Sequence, residues 1–337
     1  MNLIDYGLNP LTSDSLKKSE NGRSMISARV TAVHKERYEL ICEEGITFGR
    51  LKSSTYYISG EEAFPTTGDF VLISYTPCGD SQILKTLPWK SFFSRCDPTP
   101  GRGEQAVAAN FDYVFIMQSL NSDFNVKRLE RYLTLAWQSG AIPVIILTKA
   151  DLVEDYTEHI KAVEHIESGT GIYVVSALSG AGLDAFSNYL KPCNTIVFLG
   201  SSRVGKSSLV NALAKKDIMA VNAIREDDSK GRHTTTHRQL TMLDSGVMII
   251  DTPGIRELGM WDVSQGLGEA LNDVEQYFDK CKFKDCKHQS GPGCAVKAAI
   301  YTGELSIERW NSYVNLKRET KYSDDKGDYL RQKQNME

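Results

Sequence analysis

The sequence predicts a multidomain α/β protein: a small β-barrel, then a mostly parallel sheet covered by helices, then a helical, metal-binding segment. Three observations lead there. Residues 25–96 run as short alternating or β-branched segments broken by Gly and Pro. Residues 113–199 alternate between buried-strand and helix patterns, the mark of a parallel sheet. Three cysteines and a histidine crowd residues 281–294. A chain of 337 residues exceeds one ordinary core, so two or three domains are expected.

Composition narrows the class further. The 43 acidic against 39 basic residues give no global argument for a polyanionic partner, which must be sought in local patches. No apolar run reaches membrane-spanning length, and the opening MNLIDYGLNP lacks the regions of a signal peptide. A cytoplasmic protein with no membrane partner is therefore expected, acting as a monomer. Seven cysteines is an odd number, and the clustering of three beside a histidine favours metal over disulfides.

Residues 1–24 are polar and poorly patterned, which predicts a flexible lead-in. In residues 25–96 the runs SARVTAVH, RYELICE, ITFGRL and DFVLISY predict about five strands closing into a barrel. The pattern does not separate an oligonucleotide-binding (OB) barrel from an SH3-like one. Arg29, Lys35, Arg37, Arg50, Lys52, Lys85, Lys90 and Arg95, interleaved with Tyr38, Phe48, Tyr56, Tyr57, Trp89 and Phe92, make either an RNA surface or a solvated rim around an aromatic core.

Residues 97–110, with two prolines and two glycines, read as a linker. YVFIMQSL is then an apolar strand. Ser122 or Asp123 is placed to cap a helix whose Leu129, Tyr132, Leu133 and Ala136 share one face, closed by Gly140. Strands at 143–148, 172–177 and 196–199 alternate with helices at about 155–168 and 183–190. Ligands of such a sheet bind at the carboxyl ends of its strands.

The strand ends carry the chemistry. Gly200-Ser201-Ser202-Arg203-Val204-Gly205-Lys206-Ser207 fits G-x-x-x-x-G-K-[ST] between an apolar strand and a helix, the context a phosphate loop requires. Its backbone N–H groups would cradle phosphate, Lys206 would reach the β and γ phosphates, and Ser207 would offer its hydroxyl to Mg²⁺. Thr148-Lys149-Ala150-Asp151 fits [NT]-K-x-D, where the carboxylate accepts from guanine N1 and N2, a donor pair adenine lacks. Ser176-Ala177 ends the next strand, with a backbone N–H suited to guanine O6. GTP and GDP are thus the expected ligands.

Downstream, Gly231 to Thr236 (GRHTTT) lies in a long polar stretch, where a threonine such as Thr235 would reach Mg²⁺ and the γ-phosphate. Asp251-Thr252-Pro253-Gly254 follows a strand and matches D-x-x-G, with Asp251 toward Mg²⁺ and Gly254 toward the γ-phosphate. The base-reading motifs precede the phosphate loop, the reverse of the order in an ordinary small GTPase. This predicts a circularly permuted domain, which close-lying termini permit.

Cys281-x₄-Cys286-x-His288-x₅-Cys294 supplies three thiolates and one imidazole, a closed shell suited to one structural Zn²⁺. Lys280, Lys282, Lys284, Lys287 and Lys297 make the stretch locally basic, suited to rRNA phosphates or to solvent.

The barrel, TKAD and VSA ahead of GxxxxGKS, then GRHTTT, DTPGIRELG and C-x₄-C-x-H-x₅-C together resemble the ribosome small-subunit-dependent GTPase family (RsgA, also called YjeQ or YloQ) over about residues 25–320. The resemblance implies an OB-fold barrel over 25–96, a circularly permuted P-loop GTPase domain over 97–260, and a C-terminal helical zinc-binding domain over 261–337. It implies GTP hydrolysis stimulated by the small ribosomal subunit during its late maturation. A GTP-gated RNA-binding module with incidental hydrolysis is the alternative. One departure is Arg203, where the family usually carries Gly. Ile255 stands where Ras-like enzymes place a water-orienting Gln, which leaves His233 as the candidate catalytic group, beside Lys206 and Thr235.

Overall fold

The computed structural model describes residues 2–9, 19–20, 23–34, 37–58, 64–96, 104–166, 169–219, 238–251, 272–283, 286–288, 293–307, 310–311 and 313–314. Strands β1 (Arg23–His34), β2 (Arg37–Cys42) and β3 (Gly45–Leu51) form an antiparallel meander. β3 pairs in parallel with β5 (Ser81–Thr86), β5 runs antiparallel to β4 (Phe70–Ser74), and β4 closes back on β1. The parallel β3–β5 pair, with a helical turn at Ser54–Ile58 between β3 and β4, decides for the OB arrangement.

The barrel closes over Ala28, Val30, Tyr38, Leu40, Cys42, Tyr56, Val71, Ile73 and Ile83. Tyr38 and Tyr56 are therefore core residues and cannot serve an RNA face. Arg29 is likewise buried, at 1% exposure. Arg37 stacks over Phe48 at 3.9 Å and shares Asp80 with Arg50. Tyr57 and Trp89 are exposed. Lys35 and the Arg95 side chain lie outside the described residues.

A hairpin of β6 (Phe92–Cys96) and β7 (Glu104–Ala109) follows the barrel. Part of the stretch expected to be a linker is thus a strand. Val107, Ala108 and Ala109 are buried, with the stacked Phe93 and Phe111 nearby, so tertiary pairing outweighs the weak strand preference of alanine.

The second sheet contains β8 (Tyr113–Ser119), β9 (Ile142–Thr148), β10 (Ile172–Val174), β11 (Thr195–Gly200), β12 (Gln239–Met242) and β13 (Met248–Asp251). Their order is β10-β9-β8-β11-β13-β12, parallel except for β12. The carboxyl ends of β9, β11 and β13 deliver Thr148, Gly200 and Asp251 to one edge. Helix α1 (Val126–Gln138) buries Leu129, Tyr132, Leu133 and Ala136, the face expected from their spacing. Each fully buried large apolar side chain there contributes about 1.5–3 kcal/mol. Its cap is Asn125, whose side chain accepts from Arg128 N, because the Asp123 carboxylate is engaged elsewhere.

Helix α2 spans Thr157–Glu164. The helix expected at 183–190 is only a 3₁₀ turn, Leu183–Phe186. Left-handed Gly182 precedes it and Pro192 follows, so few residues are free to extend it.

The two sheets are continuous, since Gln239 of β12 pairs with Ala32 of β1. Gly68 lies at this junction with φ +95°, and a Cβ there would meet the Ala109 carbonyl oxygen at 2.1 Å. Arg29 lies beneath. Its guanidinium donates to the Tyr6, Gly68 and Asn110 carbonyls and the Thr195 hydroxyl. Burial pushes its pKa down to about 10, opposed by the charges of Asp112 and Asp69, so it stays cationic at neutral pH. No helix among the described residues is long and apolar enough to cross a membrane.

Candidate functional site

β11 ends at Gly200, and the chain turns through Ser201–Gly205 into α3 (Lys206–Ala214). Gly205 takes φ +104°, where a side chain is strained, and caps α3 without a side-chain hydrogen bond. The first N–H groups of α3 thus have no side-chain competitor for an anion. Arg203 also lies in the left-handed region, at φ +62°, a conformation that costs a non-glycine residue about 1–2 kcal/mol. Its side chain is exposed and bonds to no described residue. Ser202 is exposed beside it, Val204 is buried, and Ser207 is half-buried in the first turn of α3.

The carboxyl end of β9 is fastened to this loop. Thr148 Oγ1 donates to the Val204 carbonyl at 2.6 Å. Lys149 adopts φ +61° and opens a 3₁₀ turn, Ala150–Leu152, while Ala150 N donates to Val175 O at 3.1 Å. The Asp151 carboxylate accepts a hydrogen bond from the buried Ser176 hydroxyl, which itself accepts from Ser179 N at 3.2 Å. The Ser176 N–H is used by Ala181 O at 3.0 Å, whereas no described residue accepts from Ala177 N–H. Of the two residues in the SA pair, Ala177 is the one with a backbone donor to offer.

On the other side, Lys206 Nζ is paired with Asp251, which is 8% exposed. Ser201 donates its hydroxyl to Asp123, and Arg128 joins Asp123 at 3.0 Å and Gln118 at 3.1 Å. The Ser201 bond and then Arg128 hold the Asp123 carboxyl below its usual range against the effect of burial. The sequence reading missed this brace, having treated Asp123 only as a helix cap. Its one signal was an Asp five residues before an Arg at a strand end.

The cysteine cluster assembles as its spacing suggested. The ligand atoms of Cys281, Cys286, His288 and Cys294 all lie within 4.8 Å of one another. His288 Nδ1 is 3.5 Å from Cys281 Sγ and 3.7 Å from Cys294 Sγ, matching the roughly 3.5–3.8 Å edges of a tetrahedron with metal–ligand bonds near 2.0–2.3 Å. Cys294 caps helix α4 (Ala295–Thr302), whose first N–H donates to Cys281 Sγ at 3.4 Å. His288 stacks on Phe278 at 4.2 Å, and Trp310 and Tyr313 stack behind it. The donor set and its spacing fit a metal ion.

Comparison with known proteins decides the family. The sequence profile described as RsgA GTPase matches residues 86–261. A relative from Listeria monocytogenes serotype 4b, named small ribosomal subunit biogenesis GTPase RsgA 2, is 45% identical over 322 residues, covering 96% of this chain and 90% of its own. The chain belongs to the RsgA GTPase family. A relative of the same family from Methanosarcina acetivorans is 38% identical over 304 residues, covering 90% and 82%. YjeQ from Thermotoga maritima superposes with a TM-score of 0.65 at 26% identity, covering 87% of this chain and 97% of that one. YloQ, described as a circularly permuted GTPase, shares the fold with a TM-score of 0.63 at 22% identity, covering 90% and 98%. This member of the RsgA family thus brings together Thr148–Asp151, Ser176–Ala177, Gly200–Ser207 and Asp251 at one sheet edge. Thr235, His233 and Gly254 lie outside the described residues.

Proposed function

We propose that the chain hydrolyses GTP to GDP and phosphate, binds the small ribosomal subunit through its rRNA, and assists late maturation of that subunit, with binding stimulating hydrolysis. One observation supports this above others: in a chain of the RsgA GTPase family, the Thr148–Val204 hydrogen bond joins the base-reading strand end to the phosphate loop. We read Asp151, oriented by Ser176, as acceptor for guanine N1 and N2, and Ala177 N–H as donor to guanine O6. Gly200 to Gly205 and the first turn of α3 cradle the phosphates, and Lys206 leaves Asp251 for the β and γ phosphates. Ser207 and Asp251 would hold Mg²⁺, which when bound neutralises charge on the phosphates.

Cys281, Cys286, His288 and Cys294 would hold one Zn²⁺ that pins the C-terminal segment. In this reading residues 25–96 and 261–337 face rRNA, residues 97–260 handle nucleotide, and the protein works as a cytoplasmic monomer. His233 orients the attacking water, and Thr235 meets the γ-phosphate. The test is GTP turnover with and without purified small subunits, a slow basal rate rising on their addition. A rate indifferent to subunits would defeat the proposal. His233→Ala should keep GTP binding while losing about 10²-fold or more of the stimulated turnover.

A further inference from the structure

We infer that Arg203 is a nucleotide-holding residue: its guanidinium binds the phosphates shared by guanosine di- and triphosphate and slows their release. This rests on the proposed reading of the site. Arg203 sits three residues into the loop between Gly200 and Gly205, in a left-handed conformation that glycine adopts without strain. Strain of that kind persists where the residue has work to do.

Two described carboxylates near the loop are already taken. Asp123 is held by Ser201 and Arg128, and Asp251 by Lys206. Arg203 itself is exposed and bonds to no described residue, so no described carboxylate compensates its charge on the rim of an anion cradle. Its neighbour Val204 is tied by its carbonyl to Thr148, on the base-reading side of the loop rather than on the Asp251 side. That side serves the phosphates nearest the nucleoside, which GDP and GTP have in common.

The test measures release rates and Kd for fluorescent GDP and a non-hydrolysable GTP analogue in wild type, Arg203→Gly and Arg203→Lys at low and high salt. A unit charge about 6 Å from a phosphate charge gives a factor of about 5 at an effective dielectric of about 60, between that of a protein surface and that of bulk water. Arg203→Gly should therefore weaken both nucleotides by about 5-fold, mostly through faster release, and the gap should narrow as salt rises. Arg203→Lys should retain most of the affinity. The melting temperature of Arg203→Gly without nucleotide should not fall, which separates loss of a ligand contact from loss of fold. Equal or tighter binding by Arg203→Gly, or equal losses for Gly and Lys without salt dependence, would overturn the inference. If wild type binds neither nucleotide, the site reading itself falls, and the inference with it.

Discussion

Asp69 illustrates how one side chain can couple stability to pH. It is 2% exposed, accepts from Thr66 N at 2.8 Å, and burial raises its pKa to about 7, against the pull of that bond and of Arg29. An acid whose folded pKa exceeds its unfolded value of 3.8 binds its proton more tightly in the fold. Its contribution is therefore full below about pH 4 and is lost as pH rises through about 7. Urea melts of wild type and Asp69→Asn across this window should diverge by at most about 4 kcal/mol, the wild type losing ground with rising pH. A parallel pair of curves would show that Asp69 does not titrate in this way. At the proposed nucleotide site, Ser176→Ala removes the hydroxyl that bonds the Asp151 carboxylate. GTP affinity should fall about 5- to 10-fold, the worth of one such hydrogen bond, as read by calorimetry.

At the scale of elements, the parts legible in the sequence were those whose chemistry is local. Gly200–Ser207 lies within one strand–turn–helix, and the face of α1 follows from spacing alone. Cys281 to Cys294 is equally compact. What sequence could not show depends on pairing between distant segments. The stretch 104–109 is a strand only because Phe92–Cys96 lies alongside it, and Arg29 looked like a surface base until three carbonyls and a hydroxyl from distant segments proved to be its partners. The OB assignment likewise needed the β3–β5 pairing. Two predictions belong here. Gly68→Ala drives a Cβ into the Ala109 carbonyl at a positive φ, and should destabilise by about 3 kcal/mol or more, measured by thermal melts. Removing metal with a chelator should melt the segment holding α4 and raise its proteolysis, while the parallel sheet keeps its own transition. Unchanged digestion after confirmed metal loss would speak against a structural ion.

For the molecule as a whole, the barrel and the parallel sheet share more than a linker. Gln239 pairs with Ala32, the Thr67 hydroxyl donates to Arg238 O at 3.3 Å, Arg238 donates to Ala106 O at 2.8 Å, and Ala109 N donates to Thr67 O at 3.0 Å. Arg29→Met would take the guanidinium donor from the Asn110 carbonyl and leave Gly68 O with the Asn110 side-chain amide, an unsatisfied buried carbonyl costing about 1–3 kcal/mol, so a loss of stability is expected in denaturant melts. The continuous sheet also bears on how the two halves are held relative to one another. β12 is bonded to β1 through the Gln239–Ala32 pair and to β13 along its length, so the barrel and the strand that ends at Asp251 belong to one hydrogen-bonded sheet. Under the proposed function this shared sheet is a fixed-span gauge: a barrel seated on RNA would hold the nucleotide edge at a set distance and angle from that contact. On that reading, inserting residues between barrel and sheet should leave nucleotide affinity intact while lowering the turnover that small subunits stimulate.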